Sequence, residues 1–210
     1  MTSTILANLA LAKIGDVQIA DISDTSNKAA RLAALHYEPV LREVLRSHFW
    51  GFAMAVQSVT ALAAPAATSL LGWTKAFALP DDFIKLRTVM DDAGGRIDKF
   101  DLRRVGGVRC LVSGNYATLA LDYVQFIDTP DDWDPLFTAA LVTLLASRLA
   151  RGVTGSEALE QNLRQLYETV DLPAARTADA HDTQSGENHP LRAMLDGALT
   201  HTRGDFFPEL

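Results

Sequence analysis

Four carboxylates within a short stretch, Asp128, Asp131, Asp132 and Asp134, make the densest chemistry-bearing cluster of the chain. A pair of neighbouring acids can divide the acid and base roles of glycoside hydrolysis, and several oxygens together can hold Ca²⁺. The stretch lacks the EF-hand spacing and its glycine. Its structural reading is a loop ending in a helix N-cap, where negative charge is favourable. Asp81 and Asp82, directly after Pro80, read as a turn closed by an Asx hydrogen bond. His36 and His48 stand twelve residues apart in one predicted helix, a spacing that does not suit a shared metal. His181, His189 and His201 fall in a polar C-terminal stretch. Cys110 sits in a strand pattern and reads as a small buried hydrophobe. The G-x-S-x-G elbow, the G-x-x-x-x-G-K-[ST] loop and the H-E-x-x-H helix are absent, and Gly106-Gly107 does not make a G-x-G-x-x-G turn. The expectation is a protein that is not an enzyme, with no catalytic residues, no metal and no cofactor.

The 210 residues carry 19 Lys and Arg against 26 Asp and Glu, a formal charge of −7, and one cysteine. Such a length suits one domain or one domain with a sizeable insertion. A lone cysteine excludes an intrachain disulfide framework and fits a reducing compartment. The acidic balance argues against a protein that grips duplex DNA through its phosphates. Arg103, Arg104 and Arg109 in the hairpin read as solvated strand ends, not as the recognition face of a transcription regulator. No uncharged apolar run is expected to span a bilayer, and Met1-Thr2-Ser3-Thr4 lacks the basic start of a signal peptide. Together these features point to a soluble intracellular chain.

The elements that would position these residues follow from periodicity. Ile5, Leu9 and Ala12 mark a helix over 3–14 that ends at Gly15. A second helix spans Asn27 to His48, with Leu32, Leu35, Leu41, Val44 and Leu45 as its apolar stripe and Pro39 as an expected kink or break. Helical periodicity fades after Ala64. Turn signals then recur every eight to twelve residues around strand-like runs at Trp73–Leu79, Phe83–Met90, Leu102–Val105, Val108–Val112 and Ala117–Ile127, which suggests a small antiparallel sheet. Asp134 caps a helix with Pro135 at its first position, and this helix is apolar around most of its circumference as far as Arg151, with Gly152 ending it. Ser156 caps a last helix with Leu159, Leu163, Leu166 and Val170 on one side, the charge ladder Glu160, Arg164, Glu168 on the other, and a break expected at Pro173. From Thr177 the chain is polar, and a short segment from Leu191 to Leu199 precedes a tail with Phe206, Phe207 and Leu210. The predicted fold is mainly α with a β-rich insertion (α+β). Residues 1–64 and 129–176 form a helical bundle, 65–128 the insertion, and 177–210 a C-terminal arm.

Five strings in this order carry a resemblance. They are Asn8-Leu9-Ala10-Leu11-Ala12-Lys13-Ile14-Gly15, the run from Ala34 to Arg46, His48-Phe49-Trp50-Gly51-Phe52-Ala53, Gly72 to Asp82, and Asp134-Pro135-Leu136-Phe137. Across about residues 5–170 the chain resembles the tail tubular protein A family, the head-to-tail adaptors of short-tailed bacteriophages. Phe49 and Gly51 stand where that family's pattern has Pro and Asn. The resemblance implies a structural virion protein of the neck, assembled in the host cytoplasm. It would form a ring of twelve subunits that joins the portal protein to the tail nozzle protein, and DNA would pass through its lumen without specific binding. No membrane partner is implied. A head-completion adaptor of a long-tailed phage is an alternative, and a carbohydrate-active hydrolase using Asp131 and Asp134 a more distant one. Phe206, Phe207 and Leu210 are expected to anchor the arm on the portal or on a neighbouring subunit.

Overall fold

The computed structural model describes residues 1–63 and 72–184. Phe206, Phe207, Leu210, His189, His201 and the segment Leu191–Leu199 lie outside the described residues. The fold is α+β, with helices before and after two small antiparallel sheets.

Helix α1 (Ser3–Lys13) starts where the Thr2 hydroxyl accepts the Ile5 amide, and it ends at Gly15, whose φ of +74° only glycine adopts freely. Helix α2 (Lys28–Ser47) is capped by Asn27 and runs unbroken through Pro39, against expectation. The proline frees the carbonyl of Leu35, and that residue is exposed, so water can serve the freed group. Leu35 thus stands outside the buried stripe, which Ala29, Ala30, Ala33, Tyr37, Val40, Leu41, Val44 and Leu45 make instead.

Helix α3 (Pro135–Thr154) begins as expected, with Asp134 accepting the amides of Leu136 and Phe137. It ends later than expected, because Gly155 at φ +75° is the left-handed cap. Gly152 lies inside the helix, where an added Cβ would meet Leu32 of α2 at 2.9 Å. The glycine is therefore a crossing point of two helices. With 20 residues and a mean hydropathy of 1.4 over its best window, α3 is long and apolar enough to cross a membrane by length and composition, although Arg148 and Arg151 interrupt its apolar run. Most of that window is buried by α1, α2 and the C-terminal helices, which is the environment of a core helix.

The last helical path also departs from its predicted phase. Helix α4 (Glu157–Leu166) passes through a π turn (Tyr167–Asp171) into α5 (Leu172–Gln184). Pro173 does not break it. The Leu172 amide reaches back five residues to the Tyr167 carbonyl, and this wider turn accommodates the proline's missing donor. The extra residue rotates the buried face, which becomes Leu163, Tyr167, Leu172, Ala175 and Asp179. Leu166 and Val170, predicted for the apolar side, are exposed. The stretch from Thr177 to Gln184, expected within the arm, is helical because Ala175 and Asp179 dock it on the core.

Between the helical parts lie two three-stranded sheets. One has the order β1 (Met54–Thr60), β6 (Thr118–Gln125), β3 (Phe83–Met90), and the other β2 (Lys75–Ala78), β5 (Val108–Ser113), β4 (Asp101–Val105). Strand β1 starts eleven residues before the predicted insertion, since Val56, Val59 and Thr60 favour the pleated ladder with β6. Phe77 and Leu111 of one sheet share a buried cluster with Phe83, Val89, Leu119, Leu121 and Tyr123 of the other, so the insertion is two layers and not one sheet. Gly106 (φ 59°) and Gly107 (φ 85°) make the tight β4–β5 turn.

Candidate functional site

Most of the sequence-predicted acids hold a structural bond. The Tyr37 hydroxyl donates to Asp128 at 2.8 Å, tying α2 to the loop that leaves the sheets. Asp131 receives the Met1 ammonium, Asp134 caps α3, and Asp132 is exposed. Among the described residues no group of three His, Cys, Asp or Glu side chains is placed to hold a metal ion. Asp82 accepts from the Tyr123 hydroxyl at 3.0 Å. Burial first, and this bond second, push the Tyr123 phenol up to about 12. Cys110 is buried, and burial raises its thiol. His36 is held below its usual value by burial and by the nearby charge of Arg148. It is not brought near His48, which lies at the far end of α2.

His48 takes part in a cluster that sequence spacing could not reveal. Its Nε2 lies 3.2 Å from Oδ2 of Asp179, 131 residues away on α5. The other oxygen of Asp179 accepts the Gly51 amide at 2.7 Å. The His48 ring meets Trp50 edge-on at 5.0 Å, and Trp50 meets Phe137 of α3 in the same way at 5.0 Å. Asp179 therefore fastens α5 to the turn that carries the chain from α2 into the first strand. A cleft of about 450 Å³ opens beside it, lined by His48, Phe49, Met54, Arg87 and Asp179. Among the described residues the cleft holds the His48–Asp179 pair, which acts as a clasp between α5 and the turn after α2.

No family model matches the chain, and no curated protein matches its sequence.

Two surfaces remain as places where other molecules could act. The hairpin arginines line a shallow cavity of about 310 Å³ with Leu79, Leu102 and Cys110. Arg103 pairs with Asp101 at 2.7 Å, Arg104 donates to the Gly107 carbonyl, and Arg109 lies 5.5 Å above the Phe83 ring. The first two contacts keep their guanidinium groups on the hairpin itself, and the third reaches across to β3 of the other sheet. The helices, in contrast, expose apolar side chains: Leu35 on α2, Leu166 on α4, Val170 in the π turn that follows it, Ile5 and Leu9 on α1, and Leu136 on α3. Ile5 and Leu9, whose i,i+4 spacing marked the helix in the sequence, are both exposed.

Replacing Asp179 by alanine is expected to cost about 2 kcal/mol, because Gly51 and His48 lose their acceptor in a partly buried place. Asp179→Asn keeps an oxygen for Gly51 and is expected to lose less than half of that. Urea unfolding of the three proteins reads the difference. Equal midpoints for wild type and Asp179→Ala would show that the clasp carries no stability.

Proposed function

We propose that this chain is the adaptor subunit of a bacteriophage neck, a ring that joins the portal to the tail nozzle and lines the channel through which DNA leaves. The observation that carries the reading is where polarity and apolarity are placed. Asp128, Asp134, Asp179 and Asp82 are bound within the fold, while Leu35, Leu166 and Val170 stand exposed on the helices. Exposed aliphatics on a helical layer suit contacts between copies of a chain. The ordered strings from Asn8 to Phe137 support the same reading, and twelve copies is the number that the resemblance implies.

Charge supports the passage of DNA. Residues 129–184 hold nine Asp and Glu against four Arg, so a ring of these helices would be strongly acidic. An acidic wall repels phosphate and lets DNA slide without adhesion. The site of action would be the virion neck.

Electron microscopy of the chain mixed with the portal ring of a short-tailed phage tests the reading. Ring-shaped density added beneath the portal is the expected result, and Leu166→Glu with Val170→Glu should abolish it while leaving the circular dichroism spectrum unchanged. A chain that leaves the portal bare, or one that hydrolyses a glycan until Asp131→Asn is introduced, overturns it.

A further inference from the structure

Helices α1 and α3 leave an apolar groove of about 530 Å³ between them, lined by Leu9, Ala12, Lys13, Pro135, Ala139 and Val142. Ile5 extends it along α1 and is 45% exposed, and Leu9 is 42% exposed. The same chain carries a stripe that fits such a groove. Leu191, Met194, Leu195, Ala198 and Leu199 recur at i, i+3, i+4, i+7 and i+8, the spacing of one helical face, with Pro190 just ahead of them in a position suited to a first turn. A helix of this length is marginal by itself in water and needs an apolar surface to fold against.

We propose that the segment Leu191–Leu199 docks as an amphipathic helix into the α1/α3 groove of its own chain. Helix α5 ends at Gln184, and the six residues 185–190 reach at most ~20 Å. That reach starts from the correct end of the molecule. Asp179 of α5 bonds Gly51, next to Trp50, whose ring packs on Phe137 in the first turn of α3, and the groove is formed by the same N-terminal half of α3. A tether this short gives an effective concentration in the millimolar range, which favours the chain's own segment over one from a second copy. The docking is independent of the adaptor reading, because a neck subunit and any other helical protein would gain equally from covering this groove.

Hydrogen exchange on the full chain tests it, with Leu195→Asp as the control that alters only the tail. Amides of 194–199 are expected to exchange at least ten times more slowly than in the free peptide of the same sequence, and Leu195→Asp should return them to the peptide rate while speeding exchange in α1. Disulfide trapping gives the partner. In a Cys110→Ala background, Leu9→Cys with Leu195→Cys should oxidise to a cross-linked monomer. Peptide-like exchange in the wild type overturns the proposal. So does a disulfide that forms only between chains when the two cysteine variants are made separately and mixed, which would give the groove to a second copy.

Discussion

Replacing Trp50 by alanine is expected to lower stability by about 4 kcal/mol. The indole is fully buried and its Nε1 donates to the Val44 carbonyl at 2.9 Å. It stands where three parts of the molecule meet. Its edge contacts reach His48 at the end of α2 and Phe137 in α3, and Phe52 of the following turn packs beside it. Removal leaves a cavity among groups held by separate elements, which cannot collapse together to fill it. It also takes one of two donors from the Val44 carbonyl, which keeps the Ser47 hydroxyl at 2.7 Å, so this loss adds less than about 1 kcal/mol. Trp50→Phe keeps the ring contacts and loses the hydrogen bond, so about half the loss is expected. For a domain of this size the alanine variant should melt roughly 10 °C lower. Urea and thermal unfolding by circular dichroism measure both variants. A loss below about 1 kcal/mol for alanine, which is the size of one hydrogen bond alone, would remove Trp50 from its central place.

The elements of this fold were legible in the sequence wherever local chemistry alone decides. Asp134 and Ser156 cap the helices they precede, and Gly106-Gly107 makes the hairpin turn. Strand β3 runs over the predicted residues. The misreadings arise where a tertiary contact overrides a local rule. Pro39 and Pro173 are helix breakers by their chemistry, yet one faces water and the other is taken up by a π turn. That π turn then shifted the buried face from Leu166 and Val170 to Tyr167 and Leu172, a change of phase that a period of 3.6 cannot anticipate. Gly152 read as a stop because close helix crossing and helix termination ask for the same residue. The polar clusters divide in the same way. The Asp134 cap was readable from its place before Pro135, whereas the His48–Asp179 and Tyr37–Asp128 bonds join residues more than 90 positions apart and leave no spacing signal.

Stability is also expected to collapse between pH 10 and 12, by on the order of 5 kcal/mol, through three tyrosines. Burial is the first cause in each. It raises the Tyr37 phenol well above its usual range, with the Asp128 hydrogen bond adding to it, and pushes Tyr123 and Tyr167 up to about 12. All three are under 8% exposed, so little solvent screening softens these shifts. A phenol ionises near 10 in the unfolded chain, so above that value the unfolded state sheds protons that the native state keeps. Unfolding then becomes more favourable as pH rises, by up to ~1.4 kcal/mol per pH unit for each tyrosine. The contribution is fully present below pH 10 and is lost as pH climbs toward the native values. Three groups together approach the whole stability of an ordinary domain, ~5–15 kcal/mol, so the fold should open before the buried phenols ionise. Urea midpoints at pH 8, 10 and 11, read beside phenolate absorbance, follow the two events. Tyr123→Phe should flatten the slope by about a third, which ties the effect to the buried phenols. Midpoints that stay level to pH 12, or phenolate absorbance that rises fully in the folded protein, would mean that these hydroxyls reach water. The aromatic links from α2 to Asp128 and from β6 to Asp82 would then not be the sealed contacts drawn above.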